Sequence, residues 1–366
     1  MPCAPIRRVV RSALMAAVGT SVVVACSPGG TEETAVSRGD QAFARDSLEE
    51  ALAEYRLAVR QGDDDPATLS RVAHTYVRMG RVEEAREFYG RAAGVDDAMS
   101  DQAVSDFVDM ARGAAERDDR FQMASAMDAA LSFRPGVSVQ ELALPLARHY
   151  FDAGEYGRAL PFYQKALAAA TDSAPELVFE IGQAYEQIGN CERALVFFER
   201  YREAVRPWER GEVDWYVGNC AFELARERRL AARAAAPRPT DADPDADEPI
   251  RSLEPSELVD SVGGAPLLGP EGTPASREEL LEEALRLVNR TLEVGQPRTL
   301  LGRAWFERGE ILSALGDCEG ALEAFDAVSD AEASSNSALA RRARERYDRI
   351  QFGRGLRGLL PDGSCG

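Results

Sequence analysis

One beat runs through this chain. Ala51, Ala85, Met123, Ala159, Ala194, Ala284 and Ala321 mark it, and the successive gaps are 34, 38, 36, 35, 90 and 37 residues. Around each marker a phrase recurs, as in GRVEEAREFYGRAA from Gly80, GEYGRALPFYQKAL from Gly154, GNCERALVFFERYR from Gly189 and GDCEGALEAFDAVS from Gly316. A self-similar period of this length excludes a closed globule of unrelated elements. Each unit is one supersecondary piece that buries its apolar face only against the next. Within a unit the spacing is helical: Leu69, Val72, Ala73 and Tyr76 share a face, Gly80 ends the first helix, and Ala85, Tyr89 and Ala92 mark the second.

This pattern resembles the tetratricopeptide repeat, a helix–turn–helix unit of 34 residues. The fourth unit (Leu146, Ala147, Tyr150, Gly154, Ala159, Tyr163), the fifth (Val178, Ile181, Gly182, Tyr185, Gly189, Ala194, Phe198) and the seventh (Trp305, Gly309, Leu312, Gly316, Ala321, Phe325) carry it well. The third lacks the glycine between its helices, and Tyr201 stands in the fifth where a small residue is usual. Pro145 and Pro161 are expected to bend or shorten the helices of the fourth unit. The resemblance implies an all-α fold, a tetratricopeptide-like α-solenoid in which helical hairpins wind into a right-handed superhelix.

The array occupies 35–229 and resumes over 276–330, split within the sixth unit by 230–275. That segment holds Pro237, Pro239, Pro244, Pro249, Pro255, Pro266, Pro270 and Pro274 among Asp and Ala, a composition that buries too little to order itself. It reads either as a solvated insertion or as a docking arm using 250–262 as a short helix. An amphipathic helix over 333–353 is expected to cap the last repeat, with 354–366 as a tail.

The first 25 residues read as an address. Arg7, Arg8 and Arg11 precede an apolar run from Ala13 to Ala25, too short to span a bilayer stably. The run closes on Val23-Val24-Ala25-Cys26, which resembles the bacterial lipoprotein box, and Ser27 follows as in lipoproteins released to the outer membrane. The resemblance implies cleavage before Cys26, acylation of Cys26, and a tether over 26–34. Acidic residues number 62 against 43 basic ones, a net charge of −19, which excludes a general nucleic-acid binder.

Cys191, Cys220, Cys318 and Cys365 remain in an oxidising compartment. In a tandem stack Cys191 and Cys220 fall at the same end of adjacent layers. We expect disulfides Cys191–Cys220 and Cys318–Cys365, the second pinning the tail to the last repeat; four buried free thiols are the alternative. No motif for nucleotide, metal or nucleophilic chemistry is present, so no enzyme activity, metal or cofactor is expected. His74 and His149 read as groove or packing residues. Acid pairs such as Glu49-Glu50 and Glu83-Glu84 stabilise helix starts against the dipole.

In tetratricopeptide arrays the first helices line a concave groove. Carried over, this implies one apolar level at Val108, Leu144, Phe179, Trp215 and Phe306, and a second at Phe43, Val77, Phe151 and Phe222. His74, Arg112, Arg148, Gln183 and Asn219 supply polar company. Such a ladder suits an extended or helical peptide, while the lysine and asparagine cluster of the peptide-carboxylate clamp is missing. The expected function is a non-catalytic scaffold for protein partners at the bacterial outer membrane, in the manner of envelope or pilus assembly lipoproteins. The alternative is a surface receptor for nutrients or glycans, although 231–277 offers no aromatic platform.

Overall fold

The computed structural model describes residues 34–170, 174–235, 275–331, 337–357 and 364–365. The leader, Cys26, nearly all of the tether and most of the expected insertion lie outside these residues. The fold is all-α, of the α-solenoid class, with fifteen α-helices among the described residues. They are α1 (Ala35–Ala44), α2 (Leu48–Arg60), α3 (Pro66–Arg78), α4 (Val82–Val95), α5 (Ala98–Glu116), α6 (Arg120–Phe133), α7 (Ala143–Asp152) and α8 (Tyr156–Ala169). There follow α9 (Pro175–Gln187), α10 (Cys191–Ala204), α11 (Gly211–Ala235), α12 (Arg277–Val294), α13 (Leu301–Leu315), α14 (Cys318–Ala331) and α15 (Ala338–Arg357).

Two compact units result, one ending at Gln102 and one beginning at Ala103. In the first, α2 packs on α1 and α3, and α4 on α3. In the second, each helix from α7 to α14 packs on the helix before it and the helix after it, and α15 closes the series against α13 and α14. Neighbour-on-neighbour packing is what a repeated hairpin with one apolar face dictates.

Local signals set the helix bounds. Pro66 and Pro175 occupy first-turn positions where the missing N–H is no loss. The Asn190 side chain accepts from the Arg193 N–H at the start of α10, and Ser276 with Glu279 forms a capping box on α12. Gly80, Gly154, Gly189 and Gly316 turn with positive φ, as the sequence predicts. Asp46 and Asp118 take the same left-handed conformation in the first and third hairpins, at φ 59° and 55°.

Several bounds differ from expectation. α11 continues past Arg229 to Ala235 because Ala231 and Ala232 still pack against the core built by Phe222, Leu280, Leu281, Ala284, Val288 and Ile311. α15 continues through Gly353 and Gly355 to Arg357, since a glycine inside a helix costs only about 1 kcal/mol. Pro145 sits in the first turn of a ten-residue α7, where its ring is tolerated. Pro161, inside α8, leaves that helix its full fourteen residues.

The structure joins Cys191 to Cys220 and Cys318 to Cys365, with Cα–Cα distances of 5.0 and 5.7 Å. Cys365 is buried beside Leu312, Phe325 and Ile350, and its N–H donates to the Ser313 carbonyl at 3.0 Å. Arginines knit neighbouring helices together. Buried Arg228 of α11 meets Glu192 of α10 at 2.6 Å and Glu283 of α12 at 3.1 Å, and Arg229 pairs with buried Glu307.

Candidate functional site

In the first unit the helices α1 and α3 and the start of α5 enclose a groove of about 380 Å³. Phe43, Ala67 and Met99 give it apolar walls, and Asp40, Tyr55, Ser70, Arg71, His74 and Gln102 line the rest. The helical period brings these residues together: Asp40 and Phe43 stand on one face of α1, and Ala67, Ser70, Arg71 and His74 on one face of α3. The Tyr55 hydroxyl donates to Asp40 Oδ1 at 2.7 Å, and Arg71 Nε donates to the same oxygen at 3.1 Å. Burial, then the hydrogen bond to Asp40, pushes the Tyr55 phenol well above its ordinary pKa, so it stays a neutral donor. Ser70 Oγ donates to Gln102 Oε1 at 2.9 Å. The Phe43 and His74 rings lie 5.4 Å apart, tilted by 45°, and the Arg78 guanidinium stands 5.6 Å from the Phe43 centroid. The groove thus sets an apolar wall beside donors and acceptors whose directions are fixed by their partners.

The second unit carries a separate aromatic cluster on α9, α10 and α11. Phe179 is its centre, with ring centroids 4.8 Å from Tyr201, 5.5 Å from Tyr216 and 5.7 Å from Phe198. Trp215 meets Tyr216 edge-on at 5.1 Å and remains 42% exposed. Gln183 Nε2 donates to the Tyr216 hydroxyl at 3.0 Å. Arg148 forms a two-toothed pair with Glu180, at 3.1 and 2.7 Å. Burial, then the charge of Glu180, pushes the Tyr163 hydroxyl up.

The remaining sequence candidates are dispersed. Arg112 is exposed beside a small pocket containing Val108 and Leu142, and it pairs with Asp109 at 3.2 Å and Glu141 at 3.7 Å. Leu144, Val77 and Asn219 are half-buried on α7, α3 and α11. Phe151 is half-buried against Tyr156 and Tyr163. His149 packs edge-on against Phe121 and Tyr150. Phe306 packs on Phe325 under the Arg342 guanidinium of α15.

Phe222 is a correction. It is 1% exposed, within the α11–α12–α13 core, with Arg303 at 5.0 Å over its ring. The long α11 brings α12 across the position that an ordinary repeat leaves open. Sequence reasoning missed Tyr201 and Tyr216 as members of the aromatic cluster. The large residue at Tyr201, in a place that is usually small, was the available signal. Among the described residues no group of His, Cys, Asp and Glu is arranged to hold a metal ion.

No curated protein matches the chain in sequence. Among solved structures it is similar to the C-terminal part of a TPR repeat-containing protein from Cytophaga hutchinsonii, at 14% identity and TM-score 0.29, over 83% of this chain and 97% of that one. It is also similar to YrrB, described as a TPR protein with an unusual peptide-binding site, at 16% identity and TM-score 0.28, over 80% and 97%. The P58(IPK) TPR domain is similar at 16% identity and TM-score 0.28, over 89% and 99%. The family model for the tetratricopeptide repeat matches residues 67–98, which take in most of the α3–α4 hairpin and the Ala67, Ser70, Arg71 and His74 side of the first groove.

Proposed function

We propose that this chain is a protein-binding scaffold without catalysis of its own, held at the outer membrane of a bacterium by acyl chains on Cys26. Its ligand is a segment of a partner protein, extended or helical, laid along first-helix side chains. The groove of the first unit carries this reading: the tilted Phe43 and His74 rings lie side by side, Met99 supplies further apolar wall, and polar groups that are already paired orient around them. The lipoprotein box at Cys26 and Ser27 supports the location, and the repeat architecture supports assembly of envelope components as the setting.

The test is photocrosslinking in the producing bacterium. Benzoylphenylalanine replaces Phe43 in the full chain, and in a second strain it replaces Val196, an exposed residue on α10. Position 43 is expected to yield a discrete protein adduct that position 196 does not. No adduct at 43, or the same adducts at both positions, overturns the reading.

A further inference from the structure

Arginine sits over aromatic rings through much of the second unit: Arg158 over Tyr150 at 4.1 Å, Arg193 over Tyr185 at 5.6 Å, Arg206 over Trp208 at 5.5 Å and Arg308 over Trp305 at 5.5 Å. The cluster of Phe179, Tyr201, Trp215 and Tyr216 breaks this habit. Among the described residues no arginine or lysine stands over any of its four rings. Two neighbouring guanidinium groups are engaged elsewhere, Arg202 with Asp214 at 2.6 Å and Arg148 with Glu180 at 2.7 Å.

Three exposed carboxylates lie within electrostatic reach of the Tyr201 hydroxyl. Glu176 lies in the first turn of α9, Glu209 in the 3₁₀ turn before α11, and Glu212 in the first turn of α11. The Tyr201 hydroxyl registers them: burial first, then Glu176, Glu212 and Glu209 in turn, push its pKa up. Electron-rich ring faces and nearby carboxylates attract the same species, a cation with an apolar stem.

We infer that the Phe179–Tyr201–Trp215–Tyr216 cluster is a docking site for an arginine or lysine side chain of the partner protein. The inference rests on the scaffold reading and names the chemistry of its ligand: a basic segment, complementary in charge to Glu176, Glu209 and Glu212. Arginine fits best, because its flat guanidinium stacks on a ring and still donates to carboxylate at its edge.

The experiment uses the full chain and two fluorescent heptapeptides, Gly-Ser-Arg-Leu-Arg-Ser-Gly and its counterpart with citrulline for both arginines. Citrulline keeps the shape and removes the charge. Anisotropy titration is expected to show the arginine peptide binding at least about fivefold more tightly. Trp215→Leu, which keeps apolar bulk without a ring, and Glu212→Gln, on the surface, are each expected to weaken it by about twofold to fivefold. Thermal unfolding of both variants should match the parent. Binding of neither peptide, equal binding of both, or indifference to both substitutions overturns the site. Equal binding leaves peptide capture standing, and crosslinking at position 43 tests capture independently.

Discussion

Sixteen residues separate Gly39 from Tyr55, Ala73 from Tyr89, Ala111 from Met127, Ala147 from Tyr163, Gly182 from Phe198 and Gly309 from Phe325. In every hairpin but the sixth, a small residue on the first helix is thus paired with a large buried one on the second. Where the small residue is glycine, the two touch. A Cβ added at Gly182 would stand 2.6 Å from the Phe198 ring, and one at Gly309 would stand 2.7 Å from Phe325. Gly218, the sixth-hairpin counterpart, faces backbone instead: a Cβ there would overlap the Gln296 carbonyl oxygen, while Thr291 Oγ1 donates to the Gly218 carbonyl at 3.1 Å. Gly182→Ala is expected to lose about 1–3 kcal/mol by crowding a ring that has room to shift only slightly. Gly218→Ala should lose more, because a helix end must move away. Chemical unfolding of both variants checks the order; a Gly218→Ala chain as stable as its parent would mean that α11 and α12 do not approach so closely. The small positions were legible from sequence, whereas the aspartate turns were not. Asp46 and Asp118 adopt a conformation usually left to glycine, which a short polar side chain tolerates, so the third hairpin looked weaker than it is.

At the scale of elements, periodicity reveals which helices form and says little about what covers them. Phe179 and Trp215 could be picked out because they sit on first helices at the family's inward positions. Tyr216 follows one residue later, and Tyr201 comes from the second helix α10, so a ladder drawn on first helices passes both by. Phe222 failed in the opposite sense. It lies on a first helix, but α12 and α13 close over it. The chain end is fixed by a covalent link: Cys318 and Cys365 lie 47 residues apart in sequence and share a core with Leu312 and Phe325. A loop of that length corresponds to about 4 kcal/mol of unfolded-chain entropy. Cys318→Ser with Cys365→Ser is therefore expected to lower the stability of the last hairpin and α15 by about that amount. Guanidinium unfolding under oxidising conditions should show the loss. Under reducing conditions the variant and its parent should converge, and equal stability under oxidising conditions would mean that packing alone holds the tail.

For the molecule as a whole, charge and attachment belong to one argument. Among the described residues no helix is long and apolar enough to cross a membrane. On the lipoprotein reading, cleavage before Cys26 removes Arg7, Arg8 and Arg11 and leaves 40 basic residues against 62 acidic ones, a net charge of −22. A body so acidic is repelled by anionic headgroups, so on that reading the hold on the membrane comes from the acyl chains on Cys26. Two outcomes follow. Palmitate labelling should mark the parent and be absent from Cys26→Ser. A chain starting at Ser27 behind the cleavable leader of a soluble periplasmic protein should leave the membrane fraction completely, at low and high salt alike, while the parent stays there under both. Salt-sensitive pelleting of the Ser27 chain would point to an electrostatic hold that this acidic body is not expected to have. Salt-insensitive pelleting would mean that something other than Cys26 anchors the protein.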